Sequence, residues 1–210
     1  MTVVVLAKEP VAGRVKTRLC PPYSPGQAAD LARSALRDTV AAVEAMAPDR
    51  MVCALDGARG DWLPQSWPVV PQRDGDLGDR IAGALDDAFT VGGGPVLLVG
   101  MDTPQLTPAD LSGALAALDH ADAVLGPATD GGWWLIGLHA ADPSLVTGIP
   151  TSRADTGARQ RARLVERGLR VADLSLLRDV DTAADADAVA RLAPATHFAR
   201  LVGRLTRAAA

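Results

Sequence analysis

Aromatic residues are scarce in this 210-residue chain, since phenylalanine, tryptophan and tyrosine together make up 3% of it. Apolar residues still reach 48%, so a core can form, but alanine, valine and leucine must fill most of it. Cysteine occurs twice, at Cys20 and Cys53, which is too few for a disulfide framework and fits a reducing cytoplasm. The net charge of -4 argues against nucleic acid as the main partner, because duplex binding usually requires a basic face.

Long apolar runs are also missing. A membrane-spanning helix needs about 20 apolar residues, and runs such as "PVLLVGM" are far shorter, so we expect no membrane span. The three histidines lie far apart with no metal-binding spacing, and no Gly-x-Ser-x-Gly motif indicates a serine hydrolase. The length suits a single domain over residues 1–210, and we expect a cytoplasmic location.

Continuous apolar runs alternate with amphipathic segments, which predicts an α/β fold with a mostly parallel sheet flanked by helices. Helices are predicted after the caps Ser24, Thr107 and Thr182, over residues 77–90 and 158–167, and in the tail from Pro194. The segment 139–156 is the loosest, and we expect a mobile loop near the site. The predicted strands are 2–7, 51–55, 69–70, 95–100, 123–127, 133–138 and 170–174.

A basic loop follows the first predicted strand. The stretch "AKEPVAGRVKTRL" carries four cationic residues, opposed only by Glu9: Lys8, Arg14, Lys16 and Arg18. Gly13 and Pro10 allow a tight turn, and arginine and lysine can bind phosphate oxygens. The spacing is not a Walker A loop, which needs a glycine directly before its lysine. We interpret the loop as an anion site, against the alternative of a solvated loop, and expect the Lys16 side chain to be exposed in the empty protein.

Three aspartates are candidate metal ligands. Asp102, in "VGMDTPQL", follows the strongest predicted strand, and Asp179 and Asp181, in "LRDVDT", are two residues apart and can face the same way in an extended segment. Carboxylates suit Mg²⁺ or Mn²⁺, which also bridge diphosphates. The alternatives are turn capping by Asp102 and helix capping by Asp181 or Thr182.

Two glycine-containing stretches complete the candidate site. "QRDGDLGDR" is predicted to approach a base or ribose through Gln72, Gly75 and Asp76. "GPATDGGWWLIG" places a turn before two adjacent tryptophans, which predicts either a stacking platform for a substrate or plain packing. The residues of that predicted substrate site are Asp130, Gly131, Gly132, Trp133 and Trp134.

Five stretches, in order from residue 8 to residue 182, resemble a bacterial family of nucleotide-diphospho-sugar transferase-like proteins with a GT-A fold. They are "KEPVAGRVKTRL", "QRDGDLGDRI", "GMDTPQL", "GPATDGGWWLIGL" and "DVDT". Some members of that family are labelled arsenosugar-biosynthesis glycosyltransferases. The chain is also distantly similar to molybdopterin and deazaflavin-cofactor nucleotidyltransferases. It departs from the family at Thr151, where members often carry an aromatic residue after an isoleucine-proline pair.

The resemblance implies specific roles. Lys8, Arg14 and Lys16 would hold nucleotide phosphates, and Asp102 would bind Mg²⁺ or Mn²⁺ together with Asp179 or Asp181. The leading activity is a metal-dependent glycosyltransferase that takes a nucleotide-diphosphate sugar and a small-molecule acceptor, with Asp130 as a candidate general base. The alternatives are a nucleotidyltransferase that takes a nucleoside triphosphate and a phosphorylated acceptor, and a nucleotide-binding protein without catalysis.

Overall fold

The computed structural model describes residues 1–209, and within them seven strands form one sheet. The strands are β1 (Thr2–Lys8), β2 (Arg50–Asp56), β3 (Val69–Pro71), β4 (Val96–Val99), β5 (Ala123–Pro127), β6 (Trp133–Leu138) and β7 (Val171–Asp173). Their order across the sheet is β3-β2-β1-β4-β6-β5-β7. Strand β6 is antiparallel to its neighbours β4 and β5, and all the other neighbouring pairs are parallel.

Six α-helices flank this sheet within the same residues: α1 (Pro25–Met46), α2 (Leu77–Gly92), α3 (Pro108–Leu118), α4 (Thr156–Glu166), α5 (Ala183–Leu192) and α6 (His197–Ala209). Capping boxes begin α1 at Ser24, α3 at Thr107 and α5 at Thr182, as the sequence predicted. Each such cap satisfies backbone N–H groups of the first turn and stabilises its helix by about 1 kcal/mol. None of these helices combines the length and the apolar character that crossing a membrane requires.

The alternation of side chains along the strands divides the core into two layers. Val3, Val5 and Ala7 of β1 point to the layer covered by α1 and α3, whereas Val4 points to the layer covered by α2 and α4. Helices α5 and α6 form a further layer against the outer side of α1, where Phe198 is fully buried. Seven strands in a mixed, mostly parallel sheet between helices confirm the predicted α/β fold class.

Two features of the fold were not predicted from the sequence. The segment 139–156 contains a short 3-10 helix, Pro143–Leu145, and its buried residues Leu145 and Val146 pack against the α2 side of the core. The last helix is tied to α1 by Asp38, whose side chain accepts hydrogen bonds from the backbone N–H groups of His197 and Phe198, both at 2.8 Å. A buried carboxylate at a helix N-terminus stabilises that helix through its unpaired N–H groups.

Candidate active site

The loops that follow β1, β2 and β4 meet at the carboxyl edge of the sheet, where open α/β folds commonly bind ligands. Lys8 ends β1, Asp56 ends β2 and Asp102 lies three residues past β4. Two adjoining cavities open there, with volumes of about 410 Å³ and 330 Å³. The residues that line both cavities are Lys8, Met101, Asp102, Ser152 and Asp181.

The basic loop lines the smaller cavity. The cationic residues Lys8, Arg14, Lys16 and Arg18 all contribute to its wall. Gly13, with φ at 77°, allows the chain to turn ahead of them, and Val15 and Leu19 are buried and anchor the loop from the core side. The structure therefore brings the four predicted cations to one cavity, while Gly13 shapes the turn without lining it.

Lys16 is paired inside the protein, so the expectation that it is exposed is wrong. Its ammonium nitrogen lies 2.9 Å from Asp102 Oδ1 and 3.1 Å from Asp181 Oδ1, and its side chain is 10% exposed. Burial lowers the pKa of this ammonium, but the charges and hydrogen bonds of the two carboxylates outweigh that effect and raise the pKa above 10.5. The ammonium offsets one of the two negative charges, and Asp181 also pairs with Arg18 at 3.3 Å.

Asp179 is the carboxylate of the site whose charged form is least favoured by its surroundings. Its Oδ1 is buried and has no hydrogen-bond partner within residues 1–209. Desolvation, followed by the charges of Asp102 and Asp130, raises the pKa of this carboxyl group to about 7. Val180, between the two aspartates, is buried against α5 and α6, and its N–H donates to the Asp102 carbonyl at 2.9 Å. The predicted i and i+2 arrangement is therefore present, since Asp179 and Asp181 both line the larger cavity.

The three predicted metal ligands are not arranged as a ready-made metal cage. Within residues 1–209, no three or more histidine, cysteine, aspartate or glutamate side chains are grouped so that they could hold an ion, and the Lys16 ammonium lies between Asp102 and Asp181. The donor set nevertheless fits Mg²⁺ or Mn²⁺: all its atoms are carboxylate oxygens, and Asp179 Oδ1 lacks a partner. Mg²⁺ is commonly bound by one or two carboxylates together with substrate phosphates, so a complete protein cage is not required.

The turn between β5 and β6 brings Asp130 and Gly132 to the larger cavity. Asp130 Oδ1 accepts a hydrogen bond from the Gly132 N–H at 2.8 Å, which fixes the turn. Gly131, with φ at 88°, does not line the cavity; a Cβ there would collide with the Ala154 carbonyl. Asp130 therefore stays a candidate base, whereas Gly131 has a packing role.

The two tryptophans of β6 separate as the alternation predicts. Trp134 is 2% exposed, and its indole N–H donates to the Ser175 carbonyl at 3.0 Å, so it is a core residue. Both tryptophans line the larger cavity, but Trp133 is partly exposed and packs on the opposite layer of the core. Stacking on a substrate is therefore available to Trp133 and not to the buried ring of Trp134.

In the "QRDGD" stretch, the residues predicted to contact a nucleotide form contacts within the fold. Asp76 caps α2 by accepting from the Asp79 N–H at 3.0 Å, and Gly75, with φ at 120°, leaves room for the Asp79 side chain. Neither Gly75 nor Asp76 lines the two cavities. Gln72 does line the larger cavity, but its amide nitrogen donates to the carbonyls of Ala7 and Ala54 and so ties the ends of β1 and β2 together.

Among the residues of the larger cavity that the sequence reasoning missed are Asp56, Arg80, Thr103 and Arg153. Asp56 could have been found, because it directly follows a predicted buried strand at the ligand-binding edge. It pairs with Arg80 at 3.2 Å and with Lys8 at 3.8 Å. Thr103 is 1% exposed, and its hydroxyl has no partner within residues 1–209. Arg153 carried no signal, since basic residues are common in its segment, whereas Arg80 ends the quoted stretch "QRDGDLGDR" and was given no role there.

Two proteins that resemble this chain are transferases by their descriptions. The chain is 38% identical to 2-phospho-L-lactate guanylyltransferase from Haloferax volcanii over 124 residues, which is 59% of this chain and 55% of that protein. It thus spans about half the length of the curated relative it matches. A crystal structure from Desulfovibrio desulfuricans G20, provisionally described as a nucleotide-diphospho-sugar transferase, is 28% identical with a TM-score of 0.87, covering 98% of this chain and 94% of that one.

More distant structures share the fold alone. The protein Rv0371c from Mycobacterium tuberculosis H37Rv, solved as a complex with manganese, is 21% identical with a TM-score of 0.55, covering 90% of this chain and 96% of that one. The predicted nucleotide-diphospho-sugar transferase-like fold is therefore confirmed, while the arsenosugar-biosynthesis label stays a prediction. A family model matches residues 28–153, more than half of the chain. The chain belongs to the bacterial family described as "Uncharacterized protein conserved in bacteria (DUF2064)".

Proposed function

We propose that this protein is a metal-dependent nucleotidyltransferase, which transfers a nucleotidyl group from a nucleoside triphosphate to a phosphorylated small-molecule acceptor. The observation that carries the proposal is the convergence of four cationic side chains on one cavity beside Asp102, in a chain whose net charge is -4. A triphosphate presents more negative charge to such a cavity than the diphosphate of a sugar donor does. The relative from Haloferax volcanii, a guanylyltransferase by name, supports the same choice.

The proposed roles follow from the geometry. Lys8, Arg14 and Arg18 would hold the phosphates, since their side chains line the smaller cavity and arginine binds phosphate oxygens in a bidentate manner. Asp102 and Asp179 would hold Mg²⁺ or Mn²⁺, and Asp181 would join them once its ion pair with Lys16 is broken. The ion, when bound, would neutralise charge on the phosphates during transfer.

The acceptor would lie in the larger cavity. Trp133 offers an aromatic face there, Asp130 a carboxylate and Arg153 a cation for a phosphate or carboxylate group. Thr151, which stands where the resembled family often carries an aromatic residue, also lines this cavity. A threonine leaves more room than an aromatic ring and adds a hydroxyl group, so an acceptor that is larger or more polar than those of the resembled family would fit that change.

A glycosyltransferase is the second candidate. The likeness to the Desulfovibrio desulfuricans structure supports it, because that likeness extends over 98% of the chain at 28% identity. The two activities require the same fold, the same cationic loop and the same metal. They differ in the donor, which makes donor binding the decisive measurement.

The test is a thermal-shift screen of nucleoside triphosphates and nucleotide-diphosphate sugars, with and without Mn²⁺. Bound ligand raises the free energy of unfolding by about 2.7 kcal/mol at a hundredfold excess over Kd. We expect shifts with triphosphates that require Mn²⁺, and pyrophosphate release when phosphorylated acids are added. Asp179→Asn should abolish the Mn²⁺-dependent part of the shift, while Asp74→Asn, on the exposed loop before α2, serves as the matched control. Shifts and turnover with nucleotide sugars alone would contradict the proposal and favour sugar transfer.

A further inference from the structure

One cation of the basic loop is held differently from the other three. Lys16 is buried and bonded to two carboxylates, whereas the side chains of Lys8 and Arg18 are 43% and 72% exposed. Arg14 forms no side-chain hydrogen bond or ion pair within residues 1–209. Lys8 and Arg18 each pair with one carboxylate and remain exposed, whereas Lys16 is largely buried and pairs with two.

The backbone holds Lys16 in this position. Its φ and ψ are 50° and 38°, a left-handed conformation that costs energy in a residue with a side chain. Its neighbour Val15 and the following Leu19 are buried in two different clusters of the core, which keeps the chain from relaxing at this point. The fold thus sustains a strained backbone that places the ammonium between Asp102 and Asp181.

The atoms that bind Lys16 are those that a divalent cation would need. Asp102 Oδ1 and Asp181 Oδ1 are carboxylate oxygens, the ligand type that Mg²⁺ and Mn²⁺ prefer. An ammonium group and a divalent ion repel each other and cannot share the same oxygen atoms at contact distance. Asp179 Oδ1, which has no partner within the described residues, lies in the same cavity but is not reached by Lys16.

We propose that Lys16 holds the place of the divalent cation in the nucleotide-free protein and couples cation binding to nucleotide binding. Nucleotide phosphates entering the smaller cavity attract the Lys16 ammonium, and the released carboxylates then accept the ion. Free cation is excluded until the nucleotide arrives, so the two ligands strengthen each other's binding reciprocally. This inference rests on the proposed function only for the identity of the anionic ligand.

The test measures Mn²⁺ binding in the absence of nucleotide by electron paramagnetic resonance. We expect the neutral variants Lys16→Met and Lys16→Gln to bind Mn²⁺ at least tenfold more tightly than the unmodified protein. Lys16→Arg, which retains the charge, should bind as weakly as the unmodified protein. Arg14→Met is the matched control, because it removes a cation from the same cavity without freeing a carboxylate. Circular dichroism verifies that each variant is folded.

A second measurement on the unmodified protein covers the case in which the neutral variants do not fold. The ε-methylene NMR signals of Lys16 should move when Mg²⁺ and a non-hydrolysable nucleoside triphosphate are added together, and stay unchanged with Mg²⁺ alone. Tight Mn²⁺ binding without nucleotide, or equal Mn²⁺ affinity in Lys16→Met, Arg14→Met and the unmodified protein, would overturn the inference. Failure of the proposed function would give a different result from failure of this inference. In that case no nucleoside triphosphate would bind, but Lys16→Met would still bind Mn²⁺ more tightly than the unmodified protein.

Discussion

At the scale of single residues, the carboxylates of the candidate site differ in how they are neutralised. Asp102 and Asp181 share Lys16, whereas Asp179 forms no ion pair within residues 1–209 and has a buried oxygen without a partner. Electrostatic repulsion among the three aspartates therefore acts mainly on Asp179. Replacing Asp102 by asparagine would reduce this repulsion, but it would also remove one ion-pair partner of the buried Lys16, so we expect no net gain in stability.

Asp179→Asn should stabilise the metal-free protein at alkaline pH. The pKa of Asp179 in the folded protein is raised to about 7, so folding favours the protonated form. The protonated Asp179 carboxyl group contributes fully to the free energy of unfolding below its ordinary pKa of about 4. This contribution is lost as the pH rises through 7. We expect the free energy of unfolding of the variant to be about 1–3 kcal/mol higher than that of the unmodified protein at pH 8, and to differ much less at pH 4. The difference of about three pKa units between the folded and the unfolded protein sets an upper limit of about 4 kcal/mol on this effect.

Urea unfolding in EDTA between pH 4 and pH 8 measures this difference. Asp74→Asn, at an exposed position whose carboxylate forms no hydrogen bond within residues 1–209, should follow the unmodified protein at every pH. A difference between Asp179→Asn and the unmodified protein that did not change with pH would show that the carboxyl group does not titrate in this range.

Truncation of the two adjacent tryptophans should affect stability and acceptor binding to different extents. Trp134→Ala is expected to lower the free energy of unfolding by about 3–5 kcal/mol, because it empties a buried site and removes the hydrogen bond to Ser175. Trp133→Ala should cost less stability and weaken acceptor binding, since this ring faces the larger cavity. Urea unfolding and acceptor titration of each variant separate the two effects. Equal loss of stability with unchanged acceptor binding would assign both rings to packing.

At the scale of elements, the turn between β5 and β6 is tied to the start of α4. The Gly157 N–H donates to the Gly131 carbonyl at 2.7 Å, and the Gly131 Cα lies against Ala154 too closely for a side chain. The turn that carries Asp130 and the segment that carries Ser152 and Arg153 therefore form one packed unit on the wall of the larger cavity. Within the segment 139–156, Ala154 therefore packs closely against this turn, while mobility of the segment stays a prediction.

Gly131→Ala should destabilise the protein more than Gly13→Ala does. Both glycines have positive φ, which costs an alanine about 1–2 kcal/mol, but only Gly131 lacks space for a Cβ. We expect losses of about 2–4 kcal/mol for Gly131→Ala and about 1–2 kcal/mol for Gly13→Ala in urea unfolding. Gly131→Ala should also shift Asp130 and lower acceptor-dependent turnover. Losses of the same size would mean that the β5–β6 turn can move away from α4.

At the scale of the whole molecule, a cavity with four cationic side chains occurs in a protein whose net charge is negative. The net charge is -4, yet the smaller cavity is walled by Lys8, Arg14, Lys16 and Arg18. A cationic cleft raises the local concentration of an anionic ligand, while the remaining negative charge disfavours polyanions such as nucleic acid. The same distribution makes ligand binding sensitive to ionic strength.

Nucleotide binding should therefore weaken with salt. We expect the Kd for a nucleoside triphosphate to rise about tenfold between 0.05 M and 0.5 M NaCl, because the Debye length shortens from about 14 Å to about 4 Å over that range. Arg14→Met and Arg18→Met should each flatten the dependence, whereas Arg167→Met, outside both cavities, should leave it unchanged. Calorimetric titration at four salt concentrations measures how steeply the Kd of each variant depends on salt. A Kd independent of salt would remove the basic loop from the binding site.

Much of the fold was accessible from the sequence because local patterns encode it. Continuous apolar runs marked the buried strands, and Ser24, Thr107 and Thr182 marked helix starts through side chains that bond three residues away. The basic loop and Asp102 were found for the same reason, since both follow directly on predicted strands. Asp76 was predicted as a nucleotide contact and not as a cap, because the glycine-containing stretch around it is also typical of ligand-binding loops.

By itself the sequence determined the element types, the α/β class and which segments supply charged residues to the carboxyl edge of the sheet. Only the tertiary structure decided which of those residues meet. Lys16 bonds to Asp181, 165 residues away, and β6 enters between β4 and β5 in the opposite direction. The physical reason is that hydrophobic period and capping act over a few residues, whereas ion pairing depends on the order of strands. Burial of Lys16 depends in turn on packing around Val15 and Leu19, two buried residues whose separate clusters no local pattern distinguishes.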